Sequence, residues 1–148
     1  MEAAIRNLEA ADETAWRGLW AGYLGFYEAE VGDEVTAATW ERLLDPAGQM
    51  FGRALEVDGR LAGFTISVLH PGSWTLGLQC YLEDLYIDPE FRGMGLGRAL
   101  VDDLLDLAGE CGWDRLYWHT RAGNETARKL YDSYAEADDY VRYRISLG

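Results

Sequence analysis

Residues 88–98 read Asp-Pro-Glu-Phe-Arg-Gly-Met-Gly-Leu-Gly-Arg, and this stretch constrains the fold more than any other. Glycine at positions 93, 95 and 97 lets the backbone turn successive N–H groups toward one anion. The run from Gly97 onward reads as a helix, so the positive end of a helix dipole faces the same point. Such a turn suits a pyrophosphate, with Arg92 and Arg98 as flanking cations. It requires a strand before it and a helix after it. Two nucleotide readings fail on context. A P-loop needs Gly-Lys-Ser/Thr, and the only lysine in the chain is Lys129. A dinucleotide fingerprint needs GxGxxG on a strand end and an acid closing the next strand. Here the spacing is GxGxG, and the next strand closes with His119-Thr120.

The strand before the loop is read as Gln79–Ile87, stopped by Asp88-Pro89. The helix after it runs from Gly97 to Cys111, with Gly112 in the C′ position. Upstream, residues 3–8 form a first strand. Trp16, Leu19, Trp20, Tyr23, Leu24 and Tyr27 then recur at helical spacing behind Asp12, the N-cap candidate, and read as core. Thr36 is the expected cap of a second helix that ends at Asp45-Pro46. Strands at 50–57 and 61–69 flank Asp58-Gly59, a hairpin signal. Downstream, 116–120 reads as strand, Asn124 caps a helix to Tyr134, and 140–146 alternates as a final strand.

The order βααβββαβαβ places hairpins before a β-α-β unit. It predicts the α/β class: a mixed, mostly antiparallel central sheet with helices on both faces. One irregularity is visible. Leu82 falls on one strand face, while Leu85 and Ile87 fall on the other, so the apolar phase slips. A β-bulge near Glu83-Asp84 would absorb that slip.

A chain of 148 residues without repeats or linkers predicts one domain, residues 1–148. Lys and Arg total 13 against 26 Asp and Glu, so the basic footprint of a nucleic-acid binder is missing. The acidity reads first as solubility or salt adaptation and second as attraction of a cationic substrate. Cys80 and Cys111 lack the spacing of a disulfide framework or a zinc site, so no metal is expected. Both read as small buried hydrophobes. Residues 1–10 do not follow a signal-peptide pattern, and no apolar run is long enough for a membrane span. A cytoplasmic chain is expected. His70 and His119 read as satisfied packing residues, and Asp102, Asp103, Asp106 and Glu110 as a solvated helix face.

The Arg-Gly-x-Gly-x-Gly loop follows Leu85-Tyr86-Ile87-Asp88-Pro89. With Tyr117-Trp118-His119-Thr120 and Asn124-Glu125-Thr126-Ala127-Arg128-Lys129-Leu130-Tyr131, it resembles the GNAT acyl-CoA N-acetyltransferases. Residues 16–28 and Leu44-Asp45-Pro46 are similar to the fungal histone-and-polyamine acetyltransferase branch. The resemblance implies the GNAT fold, in which strands around Glu83 and Trp118 splay and pantetheine enters like an extra strand. Main-chain groups of Leu85, Tyr86 and Ile87 would receive it by β-augmentation. Acetyl-CoA is then the co-substrate, its pyrophosphate on Arg92, Gly93, Met94, Gly95, Leu96, Gly97 and Arg98. Asn124 would bond the pantetheine arm, and Arg128 or Lys129 the 3′-phosphate. The resemblance also implies a homodimer.

Acyl transfer to an amine needs a neutral amine, a polarised carbonyl and a proton for the departing thiolate. By resemblance, Tyr131 is the general acid. Glu83 is the candidate base, directly or through water, made basic by burial at the bulge, or else an anchor for a cationic substrate. Asp84 would face the other way and reads as structural. The expected acceptor is a small cationic amine, polyamine or amino acid. Two alternatives stay open: a protein N-terminus or lysine as acceptor, and a non-catalytic acyl-CoA sensor. The chain departs from the family at Ala137-Asp138-Asp139-Tyr140, where relatives carry Gly-Phe.

Overall fold

The chain opens with β1 (Ala3–Asn7), a 3-10 turn at Ala10–Asp12 and α1 (Glu13–Phe26). Asp12 stands at the N-cap of α1 but makes no cap bond. Its carboxylate instead receives two bonds from the Arg6 guanidinium at 2.8 Å and one from the Glu9 N–H at 2.8 Å. The bidentate charge-assisted pair outcompetes a neutral cap. The aromatic stripe of α1 faces inward as expected. Trp16, Leu19 and Trp20 share a buried cluster with Phe64, Ile66 and Tyr86 of the sheet, and with Trp40 and Leu43 of α2 (Asp33–Leu44). That second helix starts three residues before Thr36, with Gly32 at its N-cap. Thr36 serves the core instead, accepting from Trp20 Nε1 at 3.2 Å. Asp33 and Glu34 occupy the first turn, where the helix dipole favours acids. Glu28 and Glu30 precede the helix, so the acidic run from Glu28 to Glu34 is split between a loop and a helix end.

Next come β2 (Met50–Val57), β3 (Arg60–His70) and β4 (Gln79–Ile87). Asp58 and Gly59 both have positive φ, 49° and 81°, as a two-residue hairpin turn between β2 and β3 requires. A 3-10 turn at Pro89–Phe91 leads through the glycine loop to α3 (Leu96–Cys111), and β5 (Arg115–Trp118) follows. The five strands lie in chain order: the first three pairings are antiparallel, and β4–β5 is parallel. Helices α1 and α2 cover one face. On the other, Leu96 and Leu100 of α3 close over Leu55, Val57 and Ala62, with Leu85 and Ile87 packed alongside.

The computed structural model describes residues 1–148, which divide into two compact units, Met1–Trp118 and His119–Gly148. The second unit holds α4 (Glu125–Tyr131), capped by Asn124 Oδ1, which accepts from the Ala127 N–H at 3.2 Å. Residues 140–146 do not form the expected strand. Alternation supplies the two faces of a strand, but a ladder also needs a neighbour, and this unit contains no other strand. No helix is long and apolar enough to cross a membrane.

Candidate active site

The bulge lies in β4. Ser67 pairs with Leu82 and Ile66 with Asp84, so Glu83 is an extra residue with no partner on β3. This register step returns Leu82 to the face of Leu85 and Ile87 and resolves the phase slip seen in the sequence. Asp84 and Tyr86 are placed on the opposite face, under α1.

Strand β5 pairs with β4 only from Gln79 to Leu82. From Glu83 to Ile87, β4 has β3 on one side and no strand on the other. The side chains of Leu85 and Ile87 are committed to packing beneath α3, so these two residues can offer a ligand only main-chain groups. Tyr86 is buried in the α1-side core.

The open edge runs directly into the glycine loop. Gly93 and Gly95 have φ of 79° and 74°, and Gly95 is the N-cap of α3. A Cβ at either glycine would meet nothing within 4 Å, so glycine is required there for conformation rather than space. Gly97 lies inside α3, Met94 is exposed, and Leu96 is buried beneath the helix start. Arg98 is exposed in the first turn of α3. Arg92 donates from Nε to the Ile87 carbonyl at 3.2 Å, and its guanidinium lies 5.6 Å from the Tyr86 ring centroid and 5.9 Å from that of Phe26. The loop thus offers left-handed turns, a helix N-terminus and exposed guanidinium groups, a set that fits a diphosphate.

The carboxylates divide differently from the sequence expectation. Glu83 is exposed on the bulge, without the burial expected to make it basic. Asp84 is half-buried and accepts from the Tyr23 hydroxyl at 2.5 Å. Loss of solvation pushes the Asp84 carboxyl up to about 6; the Tyr23 bond pulls it down, and the Glu83 charge pushes it up. Burial and the Asp84 charge raise the Tyr23 phenol far above its ordinary range. Rings line this point: Tyr23 meets Tyr27 at 5.0 Å and Tyr86 at 5.9 Å, both edge-on, and Phe26 meets Tyr27 at 5.0 Å. Gly22 permits the close approach of α1, since a Cβ there would sit 2.6 Å from the Tyr86 hydroxyl. Sequence reasoning missed the Tyr23–Asp84 pair. Its only signals were an acid beside the bulge and a tyrosine on the apolar stripe of a helix.

In the second unit, Tyr131 is the half-buried last residue of α4, and Arg128 donates to the Ala122 carbonyl at 2.9 Å. Elsewhere, His70 Nδ1 lies 2.8 Å from the Pro71 carbonyl and Nε2 lies 2.6 Å from the Tyr117 hydroxyl. A carbonyl can only accept, so Nδ1 donates to it, and the Tyr117 hydroxyl partners Nε2: a satisfied packing histidine. Cys80 is buried, its thiol pushed up to about 11 by desolvation, whereas Cys111 is exposed and not the buried hydrophobe expected. It continues the buried stripe of Leu100 and Leu104 by helical spacing, but as the last residue of α3 it is exposed.

A family model described as the Acetyltransferase (GNAT) family matches residues 13–135. The chain is 34% identical over 143 residues to the D-amino-acid N-acetyltransferase HPA3 of Saccharomyces cerevisiae, spanning 95% of this chain and 88% of that protein. Among solved structures, it is similar to a ribosomal-protein-alanine N-acetyltransferase from Brucella melitensis biovar Abortus 2308. That match has a TM-score of 0.83 and 29% identity over 99% of this chain and 100% of the other. AAC(6')-Iy in complex with the bisubstrate analog CoA-S-monomethyl-acetylneamine shares the fold, with a TM-score of 0.83 and 19% identity over 99% of this chain and 100% of the other.

Proposed function

The chain belongs to the GNAT acetyltransferase family and is an N-acetyltransferase; from that premise we propose that it moves the acetyl group of acetyl-CoA to the primary amine of a small cationic amine or amino acid. The observation that carries this reading is the open edge of β4 running from Glu83 to Ile87 into the left-handed glycines 93 and 95. An extended pantetheine arm can add to such an edge as a strand would, and a diphosphate can rest on the loop and the α3 N-terminus. Bound there, acetyl-CoA supplies an activated thioester.

The roles of this chain's own residues follow. The main chain of Leu85, Tyr86 and Ile87 orients the donor. Arg92 and Arg98 neutralise the diphosphate, with the backbone of Gly93, Met94, Gly95, Leu96 and Gly97 closing around it. Asn124 bonds the pantetheine arm, and Arg128 reaches the 3′-phosphate. Tyr131 gives the departing thiolate its proton. Glu83, charged and exposed, draws in the cationic acceptor. The likeness to the yeast D-amino-acid N-acetyltransferase supports an amino acid as acceptor. The Brucella neighbour, named for a ribosomal-protein alanine, supports a second reading in which the acceptor is a protein N-terminus. The protein acts in the cytoplasm as a homodimer. Exposed Tyr140, Val141, Tyr143, Ile145 and Leu147 supply apolar surface of the kind that interfaces use.

CoA-thiol release from acetyl-CoA across D- and L-amino acids, polyamines, aminoglycosides and alanine-initiated peptides tests the reading. Release with one amine class names the acceptor. Donor binding without release from any amine would leave a sensor of acyl-CoA. Tyr131→Phe is expected to lower kcat by about 100-fold or more while acetyl-CoA affinity holds. Unchanged turnover would remove the acid role.

A further inference from the structure

We propose that Asp84, rather than Glu83, takes the proton from the acceptor ammonium, and that Tyr23 is the positioning residue that holds it. The assignment rests on the acetyl-transfer reading above and names the base within it. Four observations support it. The bulge rotates Asp84 out of the face it would share with Leu82 and places it under α1, at the point where β4 parts from β5. Tyr23 donates to Oδ1 at 2.5 Å, which fixes the carboxylate and leaves Oδ2 for an incoming N–H. The group is half-buried, shielded yet reachable. Finally, its surroundings are aromatic: the rings of Tyr23, Tyr27 and Tyr86 form a wall that favours a cation.

Desolvation that pushes this carboxyl up to about 6 suits the task, because a base works best when its proton affinity lies near the working pH. Glu83, exposed on the bulge, lacks that environment. The titratable groups around Asp84 are Tyr23 and Tyr27 from α1, and Glu83 and Tyr86 from β4. The β3 strand presents Ile66 and Phe64 on that face, and the guanidinium over the Tyr86 ring is that of Arg92.

The step balances. The ammonium gives one proton to Asp84 Oδ2 and becomes a neutral amine. The nitrogen lone pair attacks the thioester carbonyl; a C–N bond forms and the C–S bond breaks. The second nitrogen proton replaces the one that the acid delivers to sulfur, and Asp84 returns its own to water. The products are the amide, CoA thiol and one released proton.

The pH profile of kcat/KM, measured with the best amine of the panel, separates the two carboxylates. Tyr23→Phe removes a bond that favours the ionised form, so the acidic limb moves up by roughly 0.5–1 pH unit. Glu83→Gln removes a like charge, so the limb moves down by a similar amount while KM for the amine rises. Asp84→Asn loses about 100-fold or more in kcat/KM and flattens the limb, with near-UV circular dichroism and CoA affinity retained. A limb abolished by Glu83→Gln and kept by Asp84→Asn would overturn the assignment. If the wild-type chain releases thiol with no amine, the acetyl-transfer reading itself has failed. The Asp84 carboxyl is then titrated directly by carbon-13 NMR with and without n-butylammonium. A midpoint lowered by the amine supports an ammonium site at Asp84, and a midpoint indifferent to it refutes one.

Discussion

Asp103 on α3 accepts two hydrogen bonds from Arg53 on β2, from Nε at 2.9 Å and from Nη2 at 2.8 Å. Both side chains are largely buried, at 14% and 12% exposure, and Arg53 also donates to Asn7 Oδ1 at 2.7 Å. The acid expected to lie on a solvated helix face instead ties α3 to the sheet. The N-terminus of α3 carries the glycine loop, so this pair fixes the helix on which the diphosphate would rest. Asp103→Ala is expected to destabilise the fold by about 1–3 kcal/mol, because Arg53 is left charged and poorly solvated. Urea unfolding measures it, and an unchanged midpoint would show the pair to be no stronger than a surface contact.

Gly95→Ala separates conformation from space. Nothing obstructs a Cβ there, so the expected loss is the left-handed penalty, about 1–2 kcal/mol. Acetyl-CoA affinity, read by calorimetry, should fall as the loop N–H groups turn away. Gly109, inside α3 with open space around it, is the control. Alanine there should stabilise by about 0.5–1 kcal/mol and leave donor binding alone.

Two carboxylates give opposite pH dependence. The Arg6 guanidinium beside Asp12 holds that carboxyl below its ordinary value, against the opposing effect of burial. Its contribution is complete above about pH 4 and is lost as pH falls through the lowered value. Asp12→Asn should therefore be less stable than wild type at pH 7, with the gap closing in acid. Asp84 is raised, so the folded state holds a proton that the unfolded state releases between about pH 4 and pH 6, and native stability falls across that window. Asp84→Asn should be more stable than wild type at pH 7, and equal to it below about pH 4. Thermal unfolding from pH 3 to pH 8 reads both. A destabilised Asp84→Asn at pH 7 would show that the buried carboxylate is structural after all.

The two thiols should react as different species. Cys111 is exposed, while Cys80 is buried and its thiol is pushed up to about 11. Ellman's reagent at pH 8 should label one thiol promptly in the native protein and the second only on unfolding. Two thiols labelled together would mean that β4 opens on the timescale of the assay.

Much of this fold was legible because its signals are local. The positive-φ pair at Asp58-Gly59, the cap at Asn124, the C′ glycine at 112 and the glycine turn before α3 each depend on neighbours within a few residues. The aromatic stripe from Trp16 to Tyr27 and the bulge at Glu83 were visible as phase, a property of one element read alone. Three misreadings share a different cause. The Asp12 carboxylate turned from capping to Arg6 on β1, Thr36 turned to Trp20, and Asp103 found Arg53 fifty positions away. Each is a polar group whose partner comes from another element, and spacing carries no information about such partners.

The sequence by itself determined the strand–glycine turn–helix, the register slip and the aromatic side of α1, because backbone sterics and hydrophobic period act over short stretches of chain. Only the tertiary structure decided which of two adjacent carboxylates is sheltered. Side chains at 83 and 84 differ by one position along β4, and the bulge sends one to solvent and the other beneath α1, against Tyr23. Desolvation depends on what lies across from a group in space, and for Asp84 that neighbour is sixty-one residues away along the chain.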